Sequence, residues 1–187
     1  MRSILLNLII FIYTFQLYSQ GRESNKESQH QLYTELFGQG FCYSFNYEYL
    51  FPARSLNVFH GFYIGASYVP EFFQFGNGFY AGIPIGYRCV FGEKRHFFEM
   101  GFGFTSLFSK DFLGNIQYNY ISPQIGYRFE PVKSPFFAKL NLMAHVDIAS
   151  GSAGRFNMFS DVAGTGLVTI PWPGISLGYK LNKKNKK

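Results

Sequence analysis

The chain is poor in charge, in cysteine and in tryptophan. Charged residues make up 15% of its 187 positions, well below the roughly 25% of an ordinary soluble domain. One Trp stands against 24 Phe and 14 Tyr, and 20 Gly accompany them. That mix favours extended structure with much aromatic surface and argues against helices. After the first nineteen residues no apolar run approaches helix-spanning length, so further membrane contact has to be made by strands. There is no glycine-rich phosphate loop and no zinc-ligand spacing.

At this length one domain is expected. Residues 1–19 read as a signal peptide: Arg2 gives the positive start, Ile4 to Leu17 is apolar, and Tyr18-Ser19-Gln20 marks the cleavage region. The competing reading is an uncleaved anchor. Residues 20–29 are polar and form a flexible lead-in, 30–181 form the folded body, and 182–187 are a basic tail. Without Arg2 and the tail lysines Lys183, Lys184, Lys186 and Lys187, twelve basic residues face eleven acidic ones. The formal +6 therefore describes a nearly neutral body with a solvated basic end, and nucleic acid is not an expected partner.

The most informative stretch is Phe136 to Ile148. Its even positions read Phe, Ala, Leu, Leu, Ala, Val, Ile, and its odd positions are mostly polar, with Lys139, Asn141, His145 and Asp147. Successive strand residues face opposite sides, so this is a ribbon with one apolar and one mainly polar face. Thirteen residues is long for a soluble strand and close to what a tilted strand needs to cross a bilayer.

The same alternation predicts seven more strands, over about 30–37, 41–51, 58–69, 79–91, 96–108, 116–129 and 173–181. Phe41, Tyr43, Phe45, Tyr47 and Tyr49 alternate with Cys42, Ser44, Asn46 and Glu48; Phe98, Met100, Phe102 and Phe104 alternate with Glu99, Gly101, Gly103 and Thr105. Pro84 in the fourth strand predicts a bulge, because proline cannot donate to a closed ladder. The sixth strand is out of phase in its first half, with Ile116, Tyr118 and Tyr120 at even positions, and Pro123 is the expected slip point. A tight turn is expected at Gly38-Gln39-Gly40, and the longest connection, 150–169, has a helical turn around 157–162.

Eight strands place both chain ends on one side, with the turns at 92–95 and 130–134 there and the longer connections opposite. Aromatics then collect in two belts: Tyr49, Phe51, Phe91, Phe97, Phe98, Phe129, Phe136 and Tyr179 at the turn end, and Phe41, Tyr68, Phe79, Tyr80, Phe108, Tyr118 and Trp172 at the other. Bilayer interfaces select such belts. The fold class predicted is all-β, an eight-stranded antiparallel up-and-down transmembrane barrel.

The strand phase turns Glu35, Glu48, Arg88, Glu99, Arg128, Lys139, His145, Asp147 and Lys180 into the lumen, where side chains just fill an eight-stranded barrel. Charges of both signs in a narrow lumen predict a packed ion-pair network and a plug in place of a pore. Inward glycines (Gly82, Gly86, Gly101, Gly103, Gly126, Gly178) are expected to make room for the long Arg and Glu chains. Cys42 faces in and Cys89 out, so free thiols are expected. His145-x-Asp147, with Ser150 or Ser152, has the residue types of an acid–base hydrolase, but i and i+2 share a face in any strand, and this pair points away from lipid. No catalytic residue, cofactor site or metal site is assigned; His60, His96, His145 and Asp147 form no close ligand cluster.

The leader, the strand count, Tyr43-Ser44-Phe45-Asn46-Tyr47-Glu48 and the closing Gly174-Ile175-Ser176-Leu177-Gly178-Tyr179 resemble the small outer-membrane barrels of Bacteroidota. In architecture the chain is similar to the OmpX and OmpW type and to the OmpA transmembrane domain. The resemblance covers about 30–181 and implies a Gram-negative, porin-like membrane protein of the outer membrane, in contact with outer-membrane lipid and, during insertion, with the barrel-assembly machinery. A non-enzymatic monomer with a structural, surface-interaction or minor solute role follows as the expectation. A lipid-modifying acyl hydrolase is the alternative, and a secreted barrel carrying a hydrophobic ligand the second.

Overall fold

The computed structural model describes residues 27–53, 58–70, 80–111, 114–148 and 171–181, with backbone alone at 109–111, 114–116 and 147. The expected leader, most of the lead-in, Phe79, the turn around 157–162 and the basic tail lie outside them. Nine strand segments follow in order: β1 Gln29–Leu36, β2 Tyr43–Pro52, β3 Val58–Val69, β4 Tyr80–Glu93, β5 His96–Asp111, β6 Gly114–Phe129, β7 Phe136–Met143, β8 Val146–Asp147 and β9 Trp172–Lys180. Each pairs antiparallel with its neighbours, and β9 pairs with β1, so the sheet closes. β7 and β8 both pair with β6 in one register, which makes them one interrupted stave and the whole a barrel of eight. Among the described residues no helix is long and apolar enough to cross a membrane.

Register fixes the tilt. Cross-strand partners followed once round the barrel run Phe91, Phe98, Tyr127, Leu140, Ile175, Leu36, Tyr43, Tyr68 and back to β4 at Ala81, ten residues from the start. With ordinary strand rise and spacing, that stagger inclines the strands by about 40° to the axis. The start of β1 and the residue after β9 meet at one end, where the Leu181 amide donates to the His30 carbonyl at 2.7 Å.

Alternation decides which face is which. Phe102, Leu142 and Leu177 look outward, the last 66% exposed, whereas Glu99, Lys139 and Arg128 look inward, the last 0% exposed. Leaving so much apolar side chain outside while burying charge inverts the arrangement of a water-soluble protein. The outer face carries Phe45, Phe62, Ile64, Ile83, Ile85, Met100, Ile125 and Leu140 as well.

Neither proline distorts the barrel as expected. β4 keeps one register with β5 from Tyr80↔Ser109 to Glu93↔His96, straight through Pro84↔Thr105. On the other side the β3–β4 pairing lapses beside Gly65 and Ala66, then resumes in the same register. No residue is inserted, so there is no bulge. Pro123 causes no slip either, since β5 and β6 stay in step from His96↔Phe129 to Asp111↔Gly114. Bonds on both sides hold the register, so a missing N–H costs one rung and displaces nothing. Opposite Pro123 and Ser122 the thirteen-residue strand is interrupted at Ala144-His145, although the Ala144 amide still donates to the Pro123 carbonyl at 3.1 Å.

An unslipped β6 turns Tyr118 and Tyr120 inward, 4% and 2% exposed. They pack with Phe41, Cys42, Val69 and Leu107, and Tyr80 packs against this cluster. Trp172 belongs here too, its ring edge-on to His145 and tilted against Phe41. Phe41, Tyr80, Tyr118 and Trp172 therefore fill the lumen at the loop end and do not form a belt there, which leaves Tyr43, Tyr68 and Phe108 outside. At the turn end Phe98, Phe136 and Tyr179 are exposed outside, and Phe97 turns in against Leu50, Phe59 and Val90. Cys42 and Cys89 are both free thiols.

Candidate functional site

The lumen is filled in layers. Nearest the turn end lies the apolar cluster of Leu50, Phe59 and Val90. Above it five charged side chains from five staves converge. Glu48 of β2 takes Arg88 Nε on Oε1 at 3.0 Å, and Arg128 Nη2 at 2.5 Å with Lys139 Nζ at 3.2 Å on Oε2. Glu99 of β5 pairs with the same two arginines, Arg88 Nη1 at 2.9 Å and Arg128 Nε. Each of these two carboxylates is thus shared by both guanidiniums. All are buried, which for unpaired charges costs several kcal/mol apiece.

Neutral groups complete the layer. Arg88 donates to the Tyr33 hydroxyl at 3.0 Å and Arg128 to Gln31 Oε1 at 2.9 Å. Lys139 Nζ sits 3.6 Å from the Tyr33 ring centroid, Arg88 4.3 Å from that of Tyr63, and Arg128 4.8 Å from that of Phe137. Three cations against two carboxylates are balanced partly by these ring faces and partly by Glu130, which lies 3.3 Å from Arg128 and also pairs with Lys180.

The next layer is a plug made by the β1–β2 connection. Residues 38–42 are all buried, so the tight turn expected at 38–40 folds down into the barrel. Its backbone closes on itself, Phe37 N to Cys42 O at 2.9 Å and Phe41 N to Gly38 O at 2.9 Å. Gln39 reaches across the lumen: its amide nitrogen donates to the Ile85 and Phe104 carbonyls at 3.0 and 3.1 Å, and its oxygen accepts from Tyr63. Thr105 donates to the Gln39 carbonyl at 3.2 Å. Phe37 and Phe41 hold φ of 55° and 69°, a region bulky residues avoid, so the turn is held by these tertiary bonds and not by local preference.

Glu35 serves this plug and joins no ion pair among the described residues, contrary to expectation. It accepts from the Gln39 amide at 2.9 Å, Asn141 at 3.1 Å and Ser176 at 3.3 Å. His145 is also away from the charges. It stacks on Phe41, centroids 4.2 Å apart, and its Nδ1 shares a hydrogen bond of 2.8 Å with Ser122. Asp147 lies in β8 opposite Tyr120, and its side chain is outside the described set. Lys180 is half-buried at the rim with Glu130. The structure thus brings together Glu48, Arg88, Glu99, Arg128 and Lys139, sets Lys180 beside them, and separates Glu35 and His145.

The inward glycines serve neighbours other than those expected. A Cβ on Gly103 would strike the Gln39 amide, on Gly86 the Tyr63 hydroxyl, on Gly126 the Asn141 oxygen and on Gly178 the Phe137 ring. Of the six named, only Gly101 lies against Arg88, at its Cα and Cβ, while Gly61, not among them, faces Arg88 Cγ and Glu48 Oε1, each 3.4 Å from where its Cβ would be. Sequence reasoning missed Gln39 and Glu130, both read as turn residues. The flanking Gly38 and Gly40 let the backbone approach Glu35, Ser44 and Ser67 closely.

No protein-family model matches this chain, and no curated protein does. Among solved structures it is similar to the N-terminal β-barrel domain of Pseudomonas aeruginosa OprF, at 11% sequence identity and a TM-score of 0.45, over 82% of this chain and 96% of that one.

Proposed function

We propose that this chain is an integral outer-membrane barrel with a sealed lumen, a monomer without enzymatic activity that acts as a structural or surface-interaction scaffold. Its outer face is supplied for lipid and its interior for rigidity. The single observation that carries this reading is the inverted surface: Phe102, Leu140 and Leu177 stand outward while Glu48, Arg88, Arg128 and Lys139 are fully enclosed, the pattern a bilayer selects in a closed barrel.

Sealing is supported by the stacking of layers, with apolar clusters at both ends of the charge network and the Gln39 turn between. The non-enzymatic reading is supported by the setting of His145, 4% exposed between Phe41 and Tyr120 and out of reach of bilayer lipid. Surface roles fall to the connections at the end opposite Gln29 and Leu181, and insertion falls to the barrel-assembly machinery.

Planar-bilayer recording tests the sealed lumen. The wild-type protein is expected to insert without discrete conductance steps. Gln39→Ala combined with Phe41→Ala, which empties the plug layer, is expected to admit brief small openings. Stable, voltage-independent steps from the wild type would show a pore and overturn the reading.

A further inference from the structure

On the outer wall, β4 to β7 leave a groove of about 660 Å³. Its walls are Tyr87, Cys89, Met100, Phe102, Ile125 and Leu142, and no charged residue lines it. It exists because Gly101, Pro123 and Ala144 give the floor no bulk. Cys89, Met100, Ile125 and Leu142 are successive ladder partners, so the groove follows one row across four staves, about 14 Å at ordinary strand spacing. That row climbs away from the turn end in the sense of the path from Phe91 to Ala81, inclined to the membrane plane by the strand tilt.

The lower end of the groove holds Tyr87 and Cys89, with His60 just beyond its lining. His60 Nδ1 lies 2.5 Å from the Tyr87 hydroxyl, which is 3.2 Å from Cys89 Sγ. A neutral imidazole and a phenol hold two polar hydrogens, and the bond between them uses one, whichever tautomer is present. With Nε2 protonated, the phenol hydrogen goes to Nδ1 and the Nε2–H is left as a donor beside an apolar wall, where an unmatched donor costs several kcal/mol in hydrocarbon. With Nδ1 protonated, the phenol hydrogen can be given to Cys89 Sγ, a weak acceptor 3.2 Å away. The same diagonal pair recurs in two other hairpins, His30 with Tyr47 and His96 with Tyr127, again at 2.5 Å. Of the three tyrosines only Tyr87 lines the groove.

We infer that this groove seats one glycerophospholipid of the leaflet at the turn end, an acyl chain lying along Met100 and Ile125 and a phosphate or ester oxygen accepting from the His60–Tyr87 pair. The inference rests on the membrane-barrel reading above. It distinguishes this stretch of wall from the two other His–Tyr pairs, whose tyrosines, Tyr47 and Tyr127, do not line the groove.

The test refolds the full chain into vesicles of phosphatidylethanolamine and phosphatidylglycerol, extracts it in mild detergent and counts retained lipid by native mass spectrometry. Wild type is expected to keep one phospholipid. Met100→Trp, which fills the groove from outside the barrel, is expected to lower the lipid-bound fraction at least tenfold, and His60→Phe at least threefold. His30→Phe removes an equivalent pair away from the groove and should leave retention at the wild-type level. Leu142→Trp replaces Met100→Trp should that variant not insert. Equal retention in wild type, Met100→Trp and His60→Phe would overturn the inference, as would an equal loss in His30→Phe. An inserted wild type that keeps no lipid overturns the groove alone, whereas a wild type that never enters vesicles overturns the membrane reading with it.

Discussion

Glu48→Ala is expected to destabilise the barrel by about 3–5 kcal/mol, the usual cost of removing one partner from a buried ion pair. The size follows from what is orphaned. Glu48 touches Arg88, Arg128 and Lys139, so its loss leaves three cations with Glu99 and, at Arg128, Glu130 as their remaining carboxylates. Urea titration of the protein in vesicles, followed by the heat-shifted band on an unboiled gel, reads the effect. Adding Lys139→Met should recover part of the loss, because it removes one orphaned cation and leaves an apolar chain between Tyr33 and Phe137. A Glu48→Ala protein as stable as wild type would mean that the network contributes nothing net.

Gly101→Val is expected to prevent folding altogether. A Cβ there would lie 2.2 Å from the Tyr87 carbonyl oxygen and 2.8 Å from the Arg88 Cα, both in backbone that the β4–β5 ladder holds in place. Backbone cannot retract, and the strands would have to part. Gly103→Ala is the informative contrast. Its Cβ meets the end of the Gln39 side chain at 2.0 Å, which can withdraw by giving up its hydrogen bonds. That variant should fold and lose about 1–3 kcal/mol, the price of stranding buried polar groups. The heat-shifted band is expected from Gly103→Ala and absent from Gly101→Val; its presence at wild-type level in both would contradict the packing described.

The parts of the fold legible in the sequence are those that a single strand contains. Alternation in Phe62-Tyr63-Ile64 or Leu140-Asn141-Leu142 states which residues oppose each other, and the closed antiparallel barrel follows from repeating it eight times. Tyr118 and Tyr120 misled because a packed lumen and a lipid interface select the same aromatic residues, and only their neighbours tell the two apart. Pro84 and Pro123 misled because register belongs to the whole sheet, so bonds on flanking strands overrule a local defect. The candidate site was half legible. Inward phase picked out Glu48, Arg88, Glu99, Arg128 and Lys139, but not which of them meet. Level in the lumen depends on the ten-residue stagger around the barrel, a quantity no single strand carries. Glu35 and Glu48, alike in phase, lie four rungs apart in the β1–β2 register, Glu35 opposite Ser44 and Glu48 opposite Gln31, and end in different layers. Gln39 escaped because a Gly-x-Gly turn looks the same whether it points to solvent or into a cavity.

The membrane reading stands on the outer apolar face meeting acyl chains. Nitroxide labels at Ile64, Phe102 and Leu177, one on each of three well-separated staves, test it in vesicles, in a protein whose Cys42 and Cys89 are replaced by alanine. A fourth label at exposed Lys133 serves as the aqueous reference. Frequent collisions with oxygen and few with a water-soluble nickel chelate are expected at the first three sites, and the reverse at Lys133. Nickel accessibility at Ile64, Phe102 and Leu177 equal to that at Lys133 would contradict it.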